Sequence, residues 1–297
     1  MRDWTLVILA AGLGSRFGGL KQLYHFGPQA ATLAEFAMFD ALRNHCKYII
    51  AVVNRQTKVE FEQIFQRWGL SDRAVCVEQS IDDLPEGMQT LALNRRKPWG
   101  TGHALWSIRN FIKTPFVIVN ADDFYGFNAY RLALNYFDES QRDYALISYP
   151  LEKTLSAHGC VSRGICSVDD ASSITQLIEC KGICRNNLGQ MVDDKGVVFP
   201  KNCLASMNFW LLQTNIFECL NGIWADFLAS AENLETAEFY LPVAIFEATR
   251  RLGLRIKNIP NSVDDWLGVT FLEDVDHVNA SLRELTLAQR YPVRFHV

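Results

Sequence analysis

Four runs of nearly uninterrupted apolar residues, Trp4 to Ala10, Tyr48 to Val53, Ala74 to Val77 and Phe116 to Ala121, alternate along this chain with segments of helical periodicity. Strands that are apolar on both faces must be covered on both, and parallel strands joined by crossover helices meet that demand. Helices are predicted between them at Thr32 to Asn44, with Leu33, Phe36, Ala37, Phe39, Ala41 and Leu42 as its apolar positions, at Val59 to Trp68, and at Thr101 to Phe111. From about Tyr144 the pattern becomes richer in strands, with candidates at Tyr144 to Tyr149, Gly164 to Val168, Ile174 to Ile178 and Leu204 to Leu212. Helices return at Asn215 to Ala229, Glu235 to Leu252 and Glu273 to Ala288. The expected fold is α/β, a single Rossmann-like three-layer domain spanning 1–297 with a mostly parallel mixed sheet. In that architecture ligands collect beyond the carboxyl ends of the strands.

The first strand runs directly into Gly12-Leu13-Gly14-Ser15-Arg16-Phe17-Gly18-Gly19-Leu20-Lys21. Glycines let a backbone approach phosphate oxygens and aim its N–H groups at them, and Arg16 and Lys21 add two positive charges. The spacing fits neither a Walker loop, where lysine and a hydroxyl follow the last glycine directly, nor a dinucleotide-binding turn, where two residues separate the second and third glycines. A second group, Asn120-Ala121-Asp122-Asp123, closes the strand at 116–121. Adjacent carboxylates at the end of a buried strand are costly unless they serve a cation or another partner, and this is where Mg²⁺ bound to a triphosphate would be held. Asp123 is also placed to cap a helix from Asn128 onward. Between these groups lies Trp99-Gly100-Thr101-Gly102-His103-Ala104, whose glycines could let the backbone meet a nucleobase edge and whose Thr101 could cap the helix that follows. His103 reads as a packed helix residue rather than an acid or base.

Leu9-Ala10-Ala11-Gly12-Leu13-Gly14-Ser15-Arg16 resembles the signature of the nucleotidyltransferases of the nucleotide-sugar pyrophosphorylase type, with Lys21 as the lysine of that motif, although no proline precedes it. The resemblance implies the nucleotide-diphospho-sugar transferase fold, with a nucleotide-binding half at about 1–143 and an acceptor-binding half at about 144–297. It also implies Mg²⁺-dependent transfer of a nucleoside monophosphate from a nucleoside triphosphate to a phosphorylated small molecule, with release of pyrophosphate. A sugar 1-phosphate is the first expectation for the acceptor. The alternatives are cytidylyl transfer to phosphocholine or a similar acceptor, and a non-catalytic nucleotide sensor.

By the same resemblance Arg16 and Lys21 are the catalytic cations, and Ala11, Gly12, Gly14, Ser15, Arg16, Gly100, Thr101 and Asp122 bind the nucleotide. Asp122 is the metal ligand, with Ala121 in place of the usual glycine. The block Gly100 to Ala104 resembles the base-reading loop of UDP-N-acetylglucosamine pyrophosphorylases. The glutamine expected a few residues upstream there is replaced by Asn94-Arg95-Arg96-Lys97, and a pyrimidine triphosphate, UTP or CTP, is the expected donor. Gly164, Glu179 and Asn208 stand in the order of the family's acceptor-binding residues, and Lys181 could neutralise the acceptor phosphate. Near the carboxyl end, Asp264 to Asp274 resembles the segment that supplies a second metal ligand. Thr270 stands where sister cytidylyltransferases carry that aspartate, and Asp265 is chosen over Asp264 and Asp274.

Composition bounds what else the chain can be. A net charge of −4, with Arg95-Arg96-Lys97 the densest basic run, argues against a nucleic-acid partner. No stretch reaches the roughly 18 apolar residues of a membrane span. Leu6 to Leu13 reads as a buried strand rather than a signal-peptide core, so a cytoplasmic enzyme is expected. The eight cysteines contain no C-x-x-C pair, and the expectation is reduced thiols rather than zinc or a disulfide framework. The oligomeric state is left open.

Overall fold

The computed structural model describes residues 2–12, 23–139 and 142–295, so Gly14, Ser15, Arg16 and Lys21 lie outside the described residues. Strands β1 (Thr5–Ala10), β2 (Tyr48–Val53), β3 (Ala74–Glu78) and β4 (Phe116–Asn120) form a parallel group in the order β4-β1-β2-β3. The crossovers are α1 (Leu33–Arg43), α2 (Arg55–Arg67) and α3 (Thr101–Ser107). Leu9 pairs with Asn120, which sets the end of β1 beside the two aspartates after β4.

Beyond β4 the sheet turns antiparallel. Along one edge, β11 (Leu204–Leu212) pairs with β4 through Trp210 to Leu212 and with β7 (Val161–Val168) through Leu204 to Ser206. Its other edge pairs with β6 (Tyr144–Pro150), which is parallel to β12 (Ile256–Pro260). β8 (Ile174–Arg185), β9 (Met191–Val192) and β10 (Val198–Phe199) continue outward from β7. One sheet therefore runs through residues of both halves of the chain. A separate ribbon pairs β5 (Asp123–Phe124) with β13 (Leu267–Gly268).

The alternation of side chains on the central strands divides the core into two layers. Leu6, Ile8, Val53, Val117 and Val119 pack with Ala37, Met38, Phe61 and Phe65 of α1 and α2, and with Ala133 and Phe137 of α4 (Phe127–Asp138). Val7, Ile50, Val52 and Ile118 face the opposite layer, which holds Leu105 of α3, Trp224 of α5 (Ile216–Ser230) and Ile245 of α6 (Leu241–Leu252). A smaller cluster seats α7 (Asp274–Leu287) through Val278 and Leu282 against Phe36, Phe124 and Tyr291.

Several elements differ in extent from the expectation, each for a local reason. α2 starts at Arg55 because the Asn54 side chain accepts the N–H groups of Gln56 and Thr57, four residues before the first apolar position that periodicity detects. α6 starts at Leu241 rather than Glu235. Residues 237–239 are instead drawn against α3, where the Phe239 carbonyl accepts Gly102 N–H at 2.7 Å. α3 ends at Ser107 rather than Phe111.

Candidate active site

Two features of β11 open a cavity at the sheet's carboxyl edge. The strand changes partner from β7 to β4 along a single edge, and the register beside β6 jumps from Ser206–Ser148 to Phe209–Ile147. The extra residues are Met207 and Asn208, and Asn208 adopts φ +60°, a left-handed conformation that costs about 1–3 kcal/mol outside glycine. Its Oδ1 accepts the indole N–H of Trp210 at 3.3 Å and its backbone N–H donates to Ser206 Oγ at 3.3 Å.

The cavity has a volume of about 760 Å³, within the range of small-molecule sites. Its wall includes Thr101, Asp122, Gly164, Glu179 and Asn208, so five residues singled out from separate stretches of sequence meet in one place. Register explains part of this convergence, since Gly164 pairs with Glu179 on one side and with Ser206 on the other. A Cβ on Gly164 would meet Leu177 Cδ1 at 3.3 Å and Ser206 Cβ at 3.5 Å, both residues of the cavity wall. Position 164 therefore presents backbone to the cavity face. Ala11 and Gly12 lie at the end of β1, where Ala11 accepts a hydrogen bond from Asn54 Nδ2 at 3.1 Å.

The two adjacent aspartates have different surroundings. Asp123 is buried, and its Oδ2 accepts from Asn120 Nδ2 at 2.8 Å and from Tyr125 Oη at 3.2 Å. Asp122 is half-buried and lies on the cavity wall. The expected cap of α4 by Asp123 is replaced by a distant residue, because Asp264 Oδ2 takes the Asn128 N–H at 2.5 Å. This also fixes Asp264 away from the cavity, with Arg290 at 2.9 Å on its other oxygen. Asp274 accepts the N–H groups of Thr270 and Phe271 and the hydroxyl of Ser156. Asp265, the sequence-based choice for a second metal ligand, is exposed, pairs with Lys153 at 2.7 Å and lines a different cavity. Trp266, Val269 and Thr270 are the members of this segment that reach the cavity around Asp122.

The structure adds two residues to the site. Arg163 lies beside Gly164 on β7, and its guanidinium donates to Thr154 O and Ser162 O. Burial lowers its pKa, against the favourable fields of Asp123, Glu179 and Asp274. Burial likewise raises the pKa of Glu179, opposed by Arg163 and Lys181. The cavity thus holds two cations, Arg163 and Lys181, beside the carboxylates of Asp122 and Glu179. Gln79 directly follows β3, and its Nε2 donates to Gly100 O at 2.9 Å and approaches His103 Nδ1 at 3.2 Å. An amide therefore does stand at the Gly100 loop, supplied from 21 positions upstream across the chain segment 80–99.

The glycines of that loop have a packing role that the sequence did not reveal. Gly100 has φ +101°, and a Cβ there would lie 2.6 Å from Phe239 O; on Gly102 it would lie 2.9 Å from the same oxygen. Thr101 is the first residue of α3 and does not cap it. Its Oγ1 accepts Leu241 N–H at 2.9 Å and so caps α6 instead. His103 is fully buried, with Nε2 2.8 Å from Asp83 O, and desolvation pushes its pKa down to about 4. It is a neutral structural residue that orients Gln79.

An α/β sheet with a carboxylate-tipped strand and a cation-bearing cavity at one edge is an arrangement found in nucleotide-binding enzymes. Residues 5–180 match the model of the nucleotidyl transferase family, and the chain belongs to that family and is a nucleotidyltransferase. No curated protein sequence matches it. The inositol-1-phosphate CTP transferase from T. maritima superposes with a TM-score of 0.66 at 14% identity, covering 99% of this chain and 98% of that one. A protein of Bacillus anthracis assigned as a glucose-1-phosphate thymidylyltransferase, in complex with a sucrose, gives 0.65 at 13% identity, covering 95% and 96%. At these identities the likeness is one of fold. Among the described residues no helix is long and apolar enough to cross a membrane.

Proposed function

We propose that this chain transfers a nucleoside monophosphate from a pyrimidine nucleoside triphosphate to a sugar 1-phosphate or a similar phosphorylated polyol, releasing pyrophosphate. The observation that carries this reading is the convergence of Thr101, Asp122, Gly164, Glu179 and Asn208 on one cavity in a chain of this family. The two solved neighbours add support, since their names pair a pyrimidine nucleotide with a 1-phosphate of a cyclic polyol.

In the proposed reaction an acceptor phosphate oxygen attacks the α-phosphorus in line and the bond to pyrophosphate breaks. No protein nucleophile is needed, and catalysis rests on alignment and charge neutralisation. Arg16 with the Gly12 to Ser15 backbone would bind the β- and γ-phosphates, and Lys21 would lie towards the α-phosphate. Lys181 and Arg163 bring positive charge to the acceptor side, while Glu179, Asn208 and the Gly164 backbone offer fixed partners for its hydroxyls. Gln79, held by His103, would stand behind the base-reading loop. Mg²⁺ fits the donor set, because it is commonly held by one or two carboxylates together with substrate phosphates, and Asp122 supplies such a carboxylate on the cavity wall. When bound it would neutralise charge on the transferring phosphates. Asp265 is not carried into this assignment, since its carboxylate is engaged by Lys153 outside the cavity.

The test is pyrophosphate release with each of the four triphosphates against a panel of phosphorylated acceptors. Release that needs both substrates supports the reading. A purine preference of more than about tenfold, equivalent to about 1.4 kcal/mol, would overturn the base assignment and leave the transfer chemistry standing.

A further inference from the structure

Cys160 and Cys184 are far apart in sequence, yet the antiparallel ladder between β7 and β8 places them opposite one another. Val161 pairs with Ile183, and one step further along the same ladder stand Cys160 and Cys184. The neighbouring Cys184 side chain raises the pKa of the Cys160 thiol. Cys160 is the exposed thiol of the eight, Cys184 is half-buried behind it, and Cys184 Sγ also lies 3.7 Å from Gly182 O. Directly opposed residues of an antiparallel pair have Cα atoms about 4.5–5.5 Å apart, which lies inside the span a disulfide bridges.

The ladder around the pair is irregular in an informative way. Between Val161–Ile183 and Arg163–Cys180 the β8 strand carries one extra residue, and Gly182 adopts φ +64° there. This bulge, which contains Lys181, separates the two thiols from Arg163, Gly164, Leu177 and Glu179 on the cavity wall. A link between Cys160 and Cys184 would fasten the two strands on the far side of the bulge from the cavity.

We propose that Cys160 and Cys184 form an oxidation site, a cross-strand dithiol that closes to an intramolecular disulfide by exchange with a low-molecular-weight disulfide such as oxidised glutathione. The Cys160 thiolate attacks one sulfur of the small disulfide, giving a mixed disulfide at Cys160 and releasing one small thiol. The Cys184 thiolate then attacks Cys160 Sγ and releases the second. The protein gives up two protons and two electrons, and the small disulfide gains them as two thiols. Exposure makes Cys160 the entry point, and its place opposite Cys160 across the ladder makes Cys184 the resolving group.

The experiment treats the full chain with excess oxidised glutathione, then measures intact mass, thiols titratable in denaturant, and disulfide-linked peptides. The expected result is loss of two of the eight thiols without a retained adduct, and a linked peptide pair joining Cys160 to Cys184, reversed by a reducing thiol. Cys184→Ser should trap one glutathione on Cys160, and Cys160→Ser should abolish the reaction. Retention of all eight thiols, a stable adduct on the unmutated protein, or a link through Cys180 and Cys203 would each overturn the proposal. None of these readouts depends on the proposed transfer reaction.

Discussion

Gly164→Ala separates a binding role from a structural one. The added methyl would meet Leu177 Cδ1 at 3.3 Å, Leu177 Cγ at 3.4 Å and Ser206 Cβ at 3.5 Å, and the backbone there is not left-handed. The two leucine contacts lie at the end of a flexible side chain that can yield by a few tenths of an ångström, and alanine restricts the unfolded chain more than glycine does. The stability change should stay within about 1 kcal/mol. That corresponds to no more than about 2–4 °C in Tm for a chain somewhat smaller than this one. The methyl would nonetheless project between Leu177 and Ser206 on the cavity face. If the acceptor hydrogen-bonds the Gly164 backbone, losing that bond and leaving its partner unsatisfied costs about 1–3 kcal/mol. The expected result is a kcat/KM for the acceptor lowered roughly tenfold to a hundredfold or more, with the KM for the triphosphate little changed. Gly102→Ala is the contrast, since its Cβ would lie 2.9 Å from the Phe239 carbonyl and should cost about 1–3 kcal/mol of stability through overpacking. Steady-state kinetics and thermal denaturation of the two variants decide the point. A Gly164→Ala enzyme with normal acceptor kinetics would refute the acceptor assignment of this strand.

Other outcomes follow from the proposed reaction and from the geometry of the described residues. Arg16→Ala and Lys21→Ala should each lower kcat by at least about a hundredfold with the fold intact by circular dichroism, as expected when transition-state charge loses a fixed partner. Asp122→Asn should weaken the Mg²⁺ dependence of turnover. Asp123→Asn should instead lower stability by about 1–3 kcal/mol, because Asn120 and Tyr125 lose their charged acceptor. His103, with its pKa depressed to about 4, binds fewer protons folded than unfolded between about pH 4 and its ordinary value near 6.5. Its contribution is present above that window and lost as pH falls through it, with a slope of up to about 1.4 kcal/mol per pH unit. Denaturant titrations of wild type and His103→Gln across the window should show that difference in slope, and parallel curves would contradict a neutral buried imidazole.

Much of this architecture was legible because burial writes itself into sequence. The parallel strands are apolar on both faces and lie close to their predicted positions, and the carboxyl end of β4 carries the aspartates where such folds gather ligands. Thr101 and Asp122 were singled out from local motifs and Gly164, Glu179 and Asn208 from their order along the chain, and all five line one cavity. Gln79 could not be connected to the Gly100 loop, since the contact is made in space between the ends of β3 and α3 across residues 80–99. Its one sequence signal was its place two residues after a predicted strand. The surroundings of Asp265 were hidden from the sequence for a related reason. Three aspartates in one short segment look alike in sequence, and only distant partners, Asn128 and Arg290 for Asp264, Ser156 for Asp274 and Lys153 for Asp265, show that each is engaged outside the cavity. The cysteine pair shows the same limit, because register rather than spacing sets Cys160 against Cys184.

The most direct measurement of the central claim is phosphorus NMR of the enzyme with UTP or CTP, a sugar 1-phosphate and Mg²⁺. The account predicts that pyrophosphate and a nucleoside diphosphate ester of the acceptor appear together in equal amounts, and only when both substrates are present. Inorganic phosphate from simple hydrolysis, or no turnover with any phosphorylated acceptor while the triphosphate binds, would contradict it.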